Sequence, residues 1–225
     1  MPDPLAALIR AELVRAADPA RAPGMQAYMK SALPFYGVRV PQVRSLTRAA
    51  ALRLPPTDLP GLTRSARELF DQASHREEWY AALALLGMPL GRGRPELLGL
   101  HEHVAVTGAW WDVVDETAHR IADLHDTHPR HTADTVRRWS THHDRWLRRL
   151  AIISQLGRRD RVDPRLLSEV IEPNVSDPEF FVRKAIGWAL REFARQDPEW
   201  VRRFVEGHQQ LSALSRREAL KHLPE

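Results

Sequence analysis

Proline marks where this chain turns, and it does so in the manner of helices. Asp3-Pro4, Asp163-Pro164, Asp177-Pro178 and Asp197-Pro198 each pair a capping carboxylate with a proline, a residue that helices tolerate only in their first turn. Asp18-Pro19, Pro23-Gly24 and the cluster Pro55, Pro56 and Pro60 are breaks, while Pro41 suits a first helical position. Between these marks apolar residues recur three and four apart, and no run shows the period-two alternation of a half-buried strand. The pattern predicts helices near 5–13, 25–31, 43–52, 61–73, 76–87, 95–106, 110–125, 130–140, 144–157, 163–172, 178–196, 198–206 and 212–223.

So many short helices on short connections imply an all-α chain of stacked helical pairs. No strict sequence repeat is visible, as is common for this kind of repeat. Stacked pairs propagate into a curved solenoid, whose concave face suits an extended ligand; a compact helical bundle is the alternative. The 225 residues, 43% of them hydrophobic, can bury a sizeable core, and a single domain over 1–225 is expected. The absence of cysteine excludes disulfides, thiolate metal sites and a cysteine nucleophile. No apolar run approaches the roughly 18 residues of a membrane span. Met1-Pro2-Asp3-Pro4 lacks the layout of a signal peptide, so a cytoplasmic monomer is expected.

The net charge is +4 and the isoelectric point about 9.9, a mild sign of a polyanionic partner. Lys30, Lys184 and Lys221 are the lysines; the other cations are arginines, whose forks suit phosphates and aromatic faces. A genome rich in arginine codons gives the same bias. Arg137, Arg138, Arg145, Arg148, Arg149, Arg158, Arg159 and Arg161 crowd one segment, which fits either a phosphate-binding stripe or a solvated surface.

Sorting side chains by helical face isolates unusual positions. In 178–196, Val182, Ile186, Leu190 and Phe193 form a core stripe, while Trp188 lies opposite with Lys184, Arg191 and Arg195. An indole on that side either packs against a neighbouring repeat or meets a ligand. In 110–125, Trp110, Val114, Ala118 and Ile121 make the core stripe. Trp111 and Asp115, four apart, share a side that borders it; Asp115 is either a plain surface carboxylate or one held at a binding surface. Trp146, Leu147, Leu150 and Ile153 form the core side of 144–157, with Arg149 on its flank. His125, His128 and His131 straddle a helix break without an H-E-x-x-H pattern, so no metal site is expected. No G-x-S-x-G, P-loop or G-x-G-x-x-G occurs.

Several segments together resemble the AlkD-like DNA alkylation-repair glycosylases over nearly the whole chain. They are Met25-Gln26-Ala27-Tyr28-Met29-Lys30, Phe35-Tyr36-Gly37-Val38 through Pro41, and WWDVVD at 110–115. Trp146-Leu147-Arg148-Arg149, EFFVRKAIGWALREFA at 179–194, and 214–222 from Leu214 to His222 complete the set. The resemblance implies tandem HEAT-like repeats curved around duplex DNA, with a basic concave face. It implies hydrolysis of the N-glycosidic bond of N3- and N7-alkylated purines without metal or organic cofactor, and without base flipping. By position it places the catalytic carboxylate on Asp115, the sugar-facing indoles on Trp111 and Trp188, a backbone-contacting cation on Arg149 and a motif tyrosine on Tyr28. Lys30, Arg148, Lys184, Arg191, Arg216 and Arg217 are the further candidate DNA contacts. This reading requires Asp115 to stand open to the duplex rather than locked in an internal salt link. The alternatives are a relative that binds DNA without excising bases, and a helical protein-interaction scaffold.

Overall fold

The structure is a computed structural model, and it describes residues 3–223. The outer ends of the expected 1–225 domain lie outside the described residues. Among the described residues there are thirteen α-helices, three single 3₁₀ turns and no strand. They form two compact units, the first ending at Arg92 and the second beginning at Gly93.

The first unit contains α1 (Pro4–Arg15), α2 (Ala22–Met29), α3 (Val40–Arg53), α4 (Leu59–Asp71) and α5 (Arg76–Leu86). Its core includes Leu5, Ile9, Leu13, Val43, Leu62, Leu69 and Leu85. The linker between α2 and α3 hangs on one carboxylate. Glu77 of α5 is fully buried and accepts the backbone N–H groups of Tyr36, Gly37 and Val38 at 3.0, 2.8 and 3.0 Å. Gly37 is required here: its φ is +88°, and a Cβ would lie 2.1 Å from the Asp18 carbonyl oxygen.

The second unit contains α6 (Leu98–Gly108), α7 (Trp111–Thr127), α8 (Pro129–Ser140), α9 (Arg145–Ile153), α10 (Pro164–Ile171), α11 (Phe180–Phe193), α12 (Pro198–Gly207) and α13 (Ala213–Leu220). The odd-numbered helices pack in succession, α7 on α9, α9 on α11 and α11 on α13, with α8 against both α7 and α9. That is the contact pattern of stacked helical pairs. The stripe Val182, Ile186 and Leu190 is fully buried, each side chain contributing roughly 1.5–3 kcal/mol of transfer free energy.

The caps are largely those expected. Asp3, Asp163 and Asp197 accept N–H groups at the starts of α1, α10 and α12, and Asp144 does so for α9. Several ends shift by two to four residues, among them one end each of α9 and α11. The helix expected over 144–157 ends at Ile153, and the chain then turns to Gly157, whose φ is +81°. The helix expected from Asp177-Pro178 begins at Phe180, capped by Glu179 without a side-chain bond. Asp177 is spent elsewhere: one oxygen takes the Glu179 N–H, the other the Arg148 guanidinium.

Candidate functional site

Trp111 opens α7, and Asp115 follows one turn later on the same side. α9 packs against α7 and α11, and so brings Arg149 to face Asp115. α11 contributes Lys184, Trp188 and Arg191, spaced to share one face. α13 adds Glu218. These side chains, with Phe180 and Phe181, line an open cavity of about 270 Å³. The sequence-derived trio Trp111, Asp115 and Trp188 thus meets at one place in the second unit.

Asp115 is not open in the way the sequence reading required. Its two oxygens accept Nε–H and an Nη–H of Arg149 at 2.8 and 2.9 Å, a bidentate ion pair. Arg149 spends a third donor on the Phe181 carbonyl at 2.7 Å. Its side chain is only 6% exposed, whereas that of Asp115 is 19% exposed. The carboxylate is therefore both internally paired and on the cavity wall. Arg149, expected on DNA phosphate, is instead directed at Asp115, because a flank position on α9 turns inward where α7 and α11 both cover it.

Burial pushes the Asp115 carboxyl above its ordinary value. The hydrogen bonds and charge of Arg149 oppose this, the nearby Asp112 carboxylate adds to it, and His119 subtracts. Desolvation outweighs the ion pair.

The aromatic wall has its own support. Phe181 lies 5.4 Å from the Trp110 ring and 5.0 Å from the Trp146 ring, so the core indoles brace it. Phe180, half exposed, meets it edge-on at 5.3 Å. Neither phenylalanine was singled out from sequence, although both lie in the longest family-like segment. Glu218 was missed as well, since its partners are 27 and 34 residues away.

The remaining candidates divide. Lys184 donates to Glu218 at 2.9 Å, and Arg191 also pairs with Glu218. Arg148 binds Asp177 and the carbonyls of His142 and His143. Arg216 binds the carbonyls of Val205 and His208 at the end of α12. Arg217 is exposed in the second unit; Tyr28 and Lys30 are exposed in the first. The arginine-rich segment is largely matched by carboxylates. Arg137, Arg145, Arg148, Arg149, Arg158 and Arg161 each have an acidic partner. Its charge is that of an ion-pair network more than of a bare phosphate stripe.

Among the described residues no group of three or more His, Cys, Asp or Glu is placed to hold a metal ion. His125 is buried against the Ser154 hydroxyl, and burial pushes it down to about 4. No helix is long and apolar enough to cross a membrane among the described residues.

A family model described as DNA alkylation repair enzyme matches residues 9–223. A solved structure described as a predicted DNA alkylation repair enzyme from Enterococcus faecalis is 27% identical. It superposes with a TM-score of 0.81 over 93% of this chain and 97% of that one. The alkylpurine DNA glycosylase AlkC of Pseudomonas fluorescens, bound to DNA containing an abasic site analogue, is 22% identical over 97% of this chain and 61% of that one, with a TM-score of 0.47. No curated protein sequence matches the chain.

Proposed function

The chain belongs to the DNA alkylation repair enzyme family, and we propose that it hydrolyses the N-glycosidic bond of N3- and N7-alkylated purines in duplex DNA. The observation that carries this is the cavity itself: a partly exposed, desolvated carboxylate, Asp115, shares one wall system with the indoles of Trp111 and Trp188.

The chemistry follows from the substrate. Alkylation at N3 or N7 makes the purine cationic and already a good leaving group, so no strong acid is needed. The bond opens towards an oxocarbenium-like sugar. A fixed carboxylate stabilises that cation and orients the attacking water. Trp111 and Trp188 offer π faces worth about 0.5–2 kcal/mol each to a cationic sugar, and they exclude water. An ionised carboxylate has about four lone-pair sites, and Arg149 takes two, leaving the others for sugar or water. Arg149 is thus a positioning residue. It fixes the carboxylate's angle and favours its charged form against the cost of burial.

In this reading the target base stays in the stack and the protein approaches from the backbone side. Labile cationic lesions, bulky ones included, are then preferred. The duplex is held through its phosphates by Lys184 and Arg191 in the second unit, with Tyr28, Lys30 and Arg217 as exposed candidates.

A second reading, duplex binding without excision, is favoured by the Asp115–Arg149 pair, since a neutralised carboxylate stabilises a cation less. Incubation with duplex methylated at guanine N7 and adenine N3, followed by chromatography of free base, separates the two. Release by the wild type and its loss in Asp115→Asn is the expected result. Intact methylated duplex alongside retained binding would leave only the second reading.

A further inference from the structure

The cavity's two unburied cations share a single internal anion. Lys184 Nζ donates to one oxygen of Glu218 at 2.9 Å, and Arg191 donates to the other. Lys184 and Arg191 lie seven apart on α11, two turns of one face, with Trp188 between them. One carboxylate from α13 bridges them, each oxygen on its own cation. A backbone phosphate presents the same feature, two non-bridging oxygens sharing one negative charge.

The bridge depends on a close approach of helices. A Cβ at Gly187 would lie 2.5 Å from the Glu218 Cβ and 3.0 Å from the Ser215 carbonyl oxygen. Ser215 ties the same crossing by donating its hydroxyl to the Arg183 carbonyl at 3.0 Å. Hydrogen bonds from Lys184, then Arg191, keep the Glu218 carboxyl below its usual range, so it is charged at neutral pH.

Stability accounts for only part of this arrangement. The Lys184 side chain is 41% exposed, and a pair so open to water contributes little to folding, whereas the Arg191 and Glu218 side chains are 23% and 16% exposed. At the mouth of an anion-binding cavity, however, a fixed carboxylate opposes every phosphate that arrives. Resting on the duplex-binding reading above, we infer that Glu218 is a built-in competitor for backbone phosphate. It occupies the Lys184–Arg191 seat in the empty protein and must yield the seat when duplex docks.

A competitor of this kind weakens the grip on any duplex, damaged or not, because the seat meets phosphate and not base. Sequence-independent holding is thereby limited, and the protein leaves undamaged DNA sooner. Freed of its cations, Glu218 is repelled by the phosphate that replaced it.

The test is a titration of undamaged duplex against wild type and Glu218→Gln at several salt concentrations, with thermal unfolding measured alongside. Glu218→Gln is expected to bind about tenfold tighter at low salt, and its log–log salt slope to steepen by ~0.9, the worth of one phosphate contact. The gain must vanish when Lys184→Ala and Arg191→Ala are added. Glu218→Asp, which keeps the charge but is too short to bridge both cations, is expected to fall between. Equal affinity and equal slope in wild type and Glu218→Gln would overturn the inference, whatever happens to the unfolding temperature. A wild type that binds no duplex at any salt would instead remove the duplex reading itself.

Discussion

Three carboxylates of this chain, two buried in the first unit and one at the cavity wall of the second, have opposite fates. Glu77 of α5 receives three backbone N–H groups and has no surface left. Its neighbour Glu78 is held by Arg10 at 2.8 Å, the Ser74 hydroxyl at 2.6 Å and the Tyr36 hydroxyl at 3.1 Å. Burial raises the Glu78 carboxyl, but its hydrogen bonds and the charge of Arg10 outweigh that, and the net shift is downward. Asp115 has an arginine too, yet its net shift is upward. The difference lies in unspent capacity. Glu77 and Glu78 are saturated by their own fold; Asp115 is desolvated, supported from one side and open to a cavity on the other. A charge kept costly and partly unsatisfied is what a reaction centre needs and a structural knot avoids.

The sharpest way to break this contrast is to neutralise each acid in turn. Asp115→Asn is expected to slow alkylpurine release by about 10²–10⁴-fold in single-turnover excision, the range for losing a positioned carboxylate. Because the folded protein raises the Asp115 carboxyl and so favours its neutral form, removal of this charge is expected to leave the fold intact. Glu77→Gln should do the reverse. The amide oxygen can keep the two N–H groups of Gly37 and Val38, but its NH2 then faces the Tyr36 N–H, and roughly 3 kcal/mol of unfolding free energy is expected to go, read from urea denaturation. Excision per folded molecule should survive. If Glu77→Gln lost excision as completely as Asp115→Asn while remaining folded, the division between structural and reactive acids would fail.

Gly187→Ala probes the frame rather than the charges. The added methyl meets the Glu218 Cβ within contact distance, so α11 and α13 must part by a fraction of an ångström. The expected cost is about 1–3 kcal/mol, as for other overpacked contacts. Duplex binding should change with it, since the Glu218 bridge spans that crossing. Unchanged stability would mean that α13 slides freely and that the crossing does not set the bridge.

The helices were legible because proline, aspartate caps and three–four spacing are local signals, and each helix stands within a few residues of its sequence boundary. The misplacement at Asp177 shows the limit. That carboxylate was drawn off by Arg148, a tertiary contact 29 residues distant that no local pattern encodes. The site shows the same division. Trp188 stood out because it lies opposite the core stripe of its helix, and Trp111 with Asp115 because they share a side that borders one. Arg149 was placed on the correct flank, but its target was not visible. Whether a flank arginine reaches solvent or a neighbouring helix depends on the crossing of α7, α9 and α11. Glu218 was illegible for that reason, since its role exists only once α13 lies over Gly187.

The gentlest test compares the two acids by titration. For Glu78, whose folded value is lowered, the ion pairs contribute stability that is present above the unfolded value and lost as pH falls through the folded one. For Asp115, whose folded value is raised, the sign is opposite: the folded state takes up the proton at higher pH than the unfolded chain does, and stability is gained, not lost, as it proceeds. Excision needs the charged form. The acid limb of the excision rate should therefore appear at higher pH than acid unfolding followed by circular dichroism, with the fold intact between the two midpoints. Arg149→Lys, which keeps a positive charge but loses the fork, should move the excision limb further up and leave the Glu78-dependent unfolding limb in place. Coincident midpoints would mean that activity fails because the protein unfolds. Asp115 would then be a structural acid like its counterparts in α5.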